Sequence, residues 1–227
     1  MSQDKQVIVK VAGGIGPFTY EPSQFDWTKE PEDSTVELVS DRLADLVVQD
    51  MLNTGIGCAV AGISNNTDAA YSATSGLTQQ ALNRSHALFG DMSNQLITMV
   101  MDGDTYHSLI GQNITNANHL FNQGNVRIVD ILNKRIVVTD APQLKDGDNH
   151  HILTLTEDGI VIRDGSNLIP TFASITGKAR GERQFQFDYS FGVGLRGYSW
   201  DEVNGGKSPT NEKLFTSALP RSPLPLS

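Results

Sequence analysis

From Ser34 the chain reads Thr-Val-Glu-Leu-Val-Ser-Asp-Arg-Leu-Ala-Asp-Leu-Val-Val-Gln-Asp-Met-Leu as far as Leu52. Val36, Val39, Leu43, Leu46, Val47 and Met51 fall on one stripe at helical spacing. Ser34 with Glu37 three residues on forms a capping box, so the pattern predicts a helix that begins there. Carried through Gly55 and Gly57 to Ile63, such a helix is about 45 Å long at 1.5 Å per residue. In a chain of 227 residues a helix of that length is a spine, and the remaining elements must arrange themselves around it. A charge on the stripe is expected to be ruinous: Leu46→Asp should prevent folding, at a cost on the order of several kcal/mol.

The rest of the chain alternates between strand and helix signals, which makes the fold class α+β. Residues 7–11 alternate like a strand, and 17–31 read as a turn-rich connection carrying Phe18, Tyr20, Phe25 and Trp27. Residues 64–75 have loop composition, 78–89 form a second helix, and Gly90-Asp91 marks a stop and restart. A short apolar run over 95–101 predicts a buried strand, after which Asp102 or Asp104 caps a helix through Tyr106, Leu109 and Ile110. Residues 125–139 are rich in Val and Ile, with Asn133-Lys134 as a turn between two strands. Asp158-Gly159, between 152–156 and 160–163, is a hairpin signal, and 180–190 closes with a long strand.

Composition narrows the function classes. Charged residues are only 19% against 38% hydrophobic, which suggests surfaces meant for partners. The single Cys58 excludes an internal disulfide and a cysteine-rich zinc site, and reads as a small buried hydrophobe. No stretch approaches the roughly 18 apolar residues of a membrane span, and residues 1–10 lack a signal-peptide core, so a soluble cytosolic product is expected. The net charge of −9 divides as −6 over residues 1–50, −5 over 51–177 and +2 over 178–227. No basic stripe interleaved with aromatics is present, which argues against nucleic-acid readout.

Several motifs invite chemistry and do not sustain it. Gly192, Gly194 and Gly197 match a dinucleotide-binding loop, but Tyr198-Ser199-Trp200-Asp201, Gly205-Gly206 and Pro209 follow where a helix should open. Gly13-Gly14-Ile15-Gly16 is followed by Pro17 and Pro22 and fails likewise. The glycines near 192–197 are instead expected to mark bends or close packing, with Trp200 and Pro209 directing the exit toward neighbouring subunits. Ser85-His86 and His107-Ser108 are sequence neighbours, and adjacent helical side chains do not face each other. His150-His151 beside Asp146 and Asp148 could collect a divalent ion but lack a metal-loop pattern, so a solvated turn is expected. Met92, Met99 and Met101 read as core filler. No catalytic, cofactor-binding or metal-binding residue is assigned, and no cofactor is expected.

The order of these elements resembles the tailed-bacteriophage major capsid proteins of the Hong Kong ninety-seven type. The resemblance is carried by the spine-like run from Thr35, then Gly90-Asp91 through Met99-Val100-Met101-Asp102-Gly103-Asp104 to Leu109, and Asn125-Val126-Arg127-Ile128 followed by Lys134 to Asp140. The turn at Asp158-Gly159 and the closing Gly192, Trp200 and Ser208-Pro209-Thr210-Asn211-Glu212 complete the series, covering roughly residues 35–214. The N-terminal arm of that family looks short or missing, and no lysine–asparagine cross-linking pair is identifiable.

What the resemblance implies is a long spine helix, a β-extended peripheral domain and a compact axial α/β domain. The corresponding division is an extended or hairpin-like segment over 1–34, the spine and its following loop over 35–75, the axial domain over 76–177, and a returning strand with extended tail over 178–227. The implied function is a non-catalytic coat subunit that self-assembles into an icosahedral phage head around double-stranded DNA. It would be a homo-oligomer located in the virion and assembled in the bacterial cytoplasm, with scaffold or other capsid proteins as further partners, no specific DNA recognition and no membrane. A nanocompartment shell enclosing cargo protein, or a small non-enzymatic binding domain, are the alternatives. The proline-rich stretch 219–226 suits an extended segment lying across a neighbour.

Overall fold

The structure, a computed structural model, describes residues 8–21, 32–64, 66–74, 76–116, 134–177, 180–198, 200, 206, 209–210 and 214, with the backbone alone for 32–40 and 113–116. Phe25 and Trp27, the strand expected over 125–133 and the proline-rich stretch 219–226 lie outside these residues.

Strand β1 (Val9–Tyr20) pairs antiparallel with β9 (Glu182–Leu195), in register from Val9 opposite Val193 to Tyr20 opposite Arg183. The sequence suggested that β1 stops at residue 11 and that Pro17 ends any regular structure. Instead the strand absorbs the proline: the register shifts between Ile15 and Phe18, and Gly16 takes a φ of +116° open to glycine. Pairing resumes beyond the irregularity, because a residue without an N–H interrupts a ladder only locally.

Helix α1 (Glu32–Ser64) has 33 residues, hence is about 50 Å long. It begins before Ser34, so the capping box lies inside the helix and does not mark its start. Its most buried segment is 54–59, where Thr54, Ile56, Cys58 and Ala59 are nearly inaccessible. Leu46 is 44% exposed, although the helical stripe would have buried it. The helix settles on the sheet through its glycines. A Cβ on Gly55 would lie 3.0 Å from Ile162, and one on Gly62 would lie 3.2 Å from Leu195. Each helical glycine costs about 1 kcal/mol in propensity, which this close approach offsets.

Two sheets share that helix. In the first, β9 is central: β1 lies on one side, and β7 (Ile160–Asp164) and β8 (Ile169–Ile175) lie end to end on the other. The second has the order β3-β2-β6, with β2 (Leu96–Met101) parallel to β3 (Arg135–Val138) and antiparallel to β6 (Leu153–Thr156). Helix α2 (Gln79–Ala87) is capped by the Thr78 hydroxyl, which accepts from the Ala81 N–H at 3.0 Å, and a 3-10 helix (Gly90–Gln95) leads into β2. Helix α3 (Gly103–Asn116) follows β2. A short 3-10 turn (Pro142–Leu144) and the two-residue strands β4 (Lys145–Asp146) and β5 (Asn149–His150) come before β6.

The turn at Asp158-Gly159 is present, with Asp158 at φ +55° and the Gly159 N–H donating to the Thr156 carbonyl at 3.1 Å. It does not make a hairpin: β6 pairs with β2 and β7 with β9, so the chain turns from one sheet into the other. Local turn chemistry fixes the reversal, whereas the partner of each strand is set by the apolar face it buries.

Among the described residues the core has three clusters. Val9, Val11, Cys58, Tyr189, Phe191, Val193 and Leu214 join α1 to the first sheet. Ile56, Ala59, Val100, Ala141, Leu144 and Leu153 join it to the second. Leu82, Met99, Met101 and Leu109 hold α2 and α3 on the second sheet. Met92, expected in the core, is 44% exposed.

Contrary to the sequence expectation, residues 41–64 of α1 are long and apolar enough to cross a membrane. The expectation looked for an uninterrupted apolar run, and Asp50 breaks one; averaged over the segment, its Val, Leu, Ile, Ala and Cys outweigh the acids. In this fold the segment is the shared core helix, and Asp50 accepts a hydrogen bond from the Tyr189 hydroxyl at 2.5 Å.

Candidate assembly surface

Several of the polar groups that invited chemistry, Ser85, His86 and His150 among them, are engaged in holding the fold. The Ser85 hydroxyl donates to the Leu82 carbonyl at 2.8 Å, while His86 Nε2 lies 3.3 Å from Thr154 Oγ1, so this pair does not form a nucleophile and base. Burial, and then the nearby Lys134 charge, push the His86 imidazole below its ordinary pKa. Lys134 is itself buried beneath the 3-10 helix, its ammonium donating to the Leu96 carbonyl and, at 3.3 Å, to that of Ser93. It caps carbonyls at a helix end, and burial lowers its pKa. His107 and Ser108 are exposed, and the His107 ring stands edge-on to Tyr106.

His150 Nδ1 lies 3.0 Å from Asp102 Oδ2, and both His150 and His151 line a cleft of about 390 Å³ with Val60, Ile63, His86, Leu153 and Tyr198. Asp102 is fully buried at the start of α3, its carbonyl accepting from the Tyr106 N–H at 3.0 Å. Burial alone would raise its carboxyl, but the neighbouring Thr105 hydroxyl, His150 and Lys145 together hold it below the usual range. Lys145 Nζ sits 3.4 Å from Asp102 and 2.6 Å from Asp104, so the β4–β5 hairpin is pinned to the N-terminus of α3. Asp146 and Asp148 stay exposed on that hairpin. Among the described residues no cluster of His, Cys, Asp or Glu has the arrangement to hold a metal ion.

The two glycine motifs are structural. Gly192 and Gly194 lie inside β9, and a Cβ on Gly192 would collide with Ile8. Gly197 follows the strand at φ +82°, where a turn requires it. Gly13 faces Tyr189 across the β1–β9 ladder, and the tyrosine ring fills the space of its absent side chain. Trp200 donates to the Gly206 carbonyl at 2.8 Å and packs on the first core cluster, which also contains Leu214, while Pro209 is buried. These residues therefore hold onto their own core, where the sequence suggested an exit toward neighbours. Burial pushes the Cys58 thiol up to about 12 and keeps it unreactive.

What the fold leaves open is apolar surface in separate places. Val48 and Leu52 are 55% and 53% exposed on α1, and Leu168, Ile169 and Phe172 reach 61%, 59% and 73% at β8. Leu88, Phe89, Met92 and Ile97 form another patch around the 3-10 helix, and Val137 and Val138 are exposed on β3. Several distinct apolar faces on one small subunit suit a molecule with several neighbours. Sequence reasoning identified none of these faces. The signal it did register was the low charge.

Comparison with known proteins agrees. No curated protein matches. A structure from Mycobacterium phage Che8 is similar at a TM-score of 0.50 and 14% identity, over 82% of this chain and 66% of that one. The capsid structure of the cyanophage P-SCSP1u is similar at a TM-score of 0.46 and 12% identity, over 84% of this chain and 70% of that one. At 14% identity the likeness to the Che8 chain speaks to fold alone, and this chain spans about two thirds of that chain's length. The family model described as major capsid protein 13-like matches residues 1–219, and the chain belongs to this Gp13-like family of major capsid proteins.

Proposed function

We propose that the chain is the structural coat subunit of a tailed-phage head: copies of it assemble into an icosahedral shell around double-stranded DNA, without catalysis. The observation that carries this reading is the family match over residues 1–219. The physical support is a subunit stiffened by one helix shared between two sheets, with separate exposed apolar patches that can meet different neighbours. In this reading α1 with the β1-β9-β7/β8 sheet is the spine and peripheral unit. The compact unit of β2, β3, β6, α2 and α3, within residues 76–177, is the axial one. A net charge of −9 suits an inner wall that must not trap packaged DNA, because weak phosphate contacts leave the duplex mobile. Scaffold or further capsid proteins are partners in this reading, DNA is enclosed without specific recognition, and no membrane is involved.

Electron micrographs and light scattering of the purified chain test it. Closed shells or ring-shaped capsomers are expected, and particles taken from infected cells should contain DNA. A species that stays monomeric at high concentration, even with partner proteins, refutes the reading. Particles holding cargo protein in place of DNA turn it into a nanocompartment shell.

A further inference from the structure

Strand β8 is the least protected part of the first sheet. Six of its seven residues are exposed, so both of its faces meet solvent along most of its length. One side pairs with β9, from Ile169 opposite Asp188 to Ile175 opposite Glu182, and among the described residues nothing pairs with the other side. Pro170 has no N–H, so it belongs in a position where its nitrogen faces away from β9. Alternation along the strand then directs Ile169, Thr171, Ala173 and Ile175 to β9, and turns the N–H and C=O groups of Phe172 and Ser174 outward.

An edge of this kind in a soluble monomer is normally blunted by lysine, by proline or by brevity, since it templates pairing with another chain. Here the segment Ile-Pro-Thr-Phe-Ala-Ser-Ile has no charged side chain, and its one proline stands near the start, so that among the described residues no strand pairs with the outward groups of residues 172 and 174. The side chains reinforce the opening. Phe172 and Phe18 both stand opposite Phe185 in register, with Phe18 and Phe185 ring centroids 5.2 Å apart, and Phe172 is the 73% exposed end of that aromatic row.

We propose that the outer edge of β8 is an interface between copies of this chain, which takes an extended strand of a second copy as the next strand of the sheet. The inference rests on the capsid reading above and names the surface through which two subunits join. The capsid reading selects the occupant, because a shell subunit meets copies of itself, and the uncharged β8 edge lets two copies, each of net charge −9, meet without placing acid against acid at that edge. Main-chain hydrogen bonds supply the attraction, and the exposed Phe172 supplies apolar area to bury.

Hydrogen–deuterium exchange over residues 169–175, compared between unassembled subunits and assembled particles of the full chain, tests this. The Phe172 and Ser174 amides should exchange freely in the subunit and about a hundredfold more slowly in particles. Ser174→Pro, which removes only an outward N–H, should melt like wild type while its assembled fraction falls about tenfold; Phe172→Lys should act the same way by charging the edge. If wild type forms particles and these amides remain unprotected, or are already protected in the unassembled subunit, the edge is not the interface and the capsid reading survives. If wild type forms no particle at all, the capsid reading falls and takes this inference with it. Should Ser174→Pro lower the melting temperature, the exchange comparison decides alone.

Discussion

Replacing Gly13 by alanine tests the contact that ties β1, β9 and α1 together. A Cβ at residue 13 would lie 2.5 Å from Tyr189 Cζ and 2.8 Å from its hydroxyl oxygen. Ordinary carbon contact begins near 3.5 Å, so the ring must move by about 1 Å. It has little room: Tyr189 is 6% exposed, stacks on Phe191 at 6.1 Å between centroids, and donates to Asp50 at 2.5 Å. A displacement of that size, if directed away from the helix, stretches the bond to Asp50 from 2.5 Å to about 3.5 Å, the edge of hydrogen-bonding range. Overpacking costs about 1–3 kcal/mol, and a hydrogen bond to a charged group contributes about 1.5–3 kcal/mol. Because one movement causes both losses they are not additive, and about 3 kcal/mol is expected, or roughly 6–12 °C in a chain of this size. The assay is denaturant unfolding of the unassembled chain, with an unchanged m-value showing that stability alone has moved. Tyr189→Phe removes the hydrogen bond but leaves the ring, so Gly13→Ala combined with Tyr189→Phe should cost less than the two single changes summed. A Gly13→Ala variant within about 0.5 kcal/mol of wild type, the scatter of ordinary surface substitutions, would refute the reasoning.

Two further outcomes follow from the geometry. The folded Asp102 carboxyl is held below its ordinary range, so its contribution is complete above about pH 4 and disappears as pH falls through the folded value. Asp102→Asn should therefore lose about 2 kcal/mol at neutral pH and decline less steeply on acidification; parallel stability–pH curves for the two proteins contradict this. Leu46→Asp, which helical spacing alone condemns, should change the stability of the unassembled chain by less than about 1 kcal/mol, since the side chain is 44% exposed. Unfolding of that variant at room temperature would show Leu46 to be buried after all.

The parts of the fold that were legible in the sequence are those decided locally. The second helix expected over 78–89, the strand over 95–101, the turn at Asp158-Gly159 and the existence of the long helix all came from short-range chemistry, and all are present, the second helix as Gln79–Ala87 and the strand as Leu96–Met101. What depended on distant partners was not legible. The apolar stripe on α1 follows the helix period, but burial follows what lies opposite, and the closest packing falls where Gly55 and Gly62 let the sheet approach. Gly13-Gly14-Ile15-Gly16 read as a strand end because its strongest neighbour, Tyr189, lies far away in sequence. The β6–β7 hairpin failed for the same reason, since each strand answers to a different sheet. The candidate surface was legible only as a shortage of charge; its location needed the tertiary fold.

The pairing of β1 with β9 also bears on when, during synthesis, a subunit becomes able to act. Val9 finds Val193, so β1 waits for a partner translated about 180 residues later, and among the described residues β8 has only β9 to support it. Such non-local pairing forms late and slowly. A ribosome-bound chain thus displays no ordered β8 edge until β9 has emerged. The arrival of β9 acts as a completion signal for this edge: nascent chains crowded on one messenger cannot join prematurely through a surface they have not yet built.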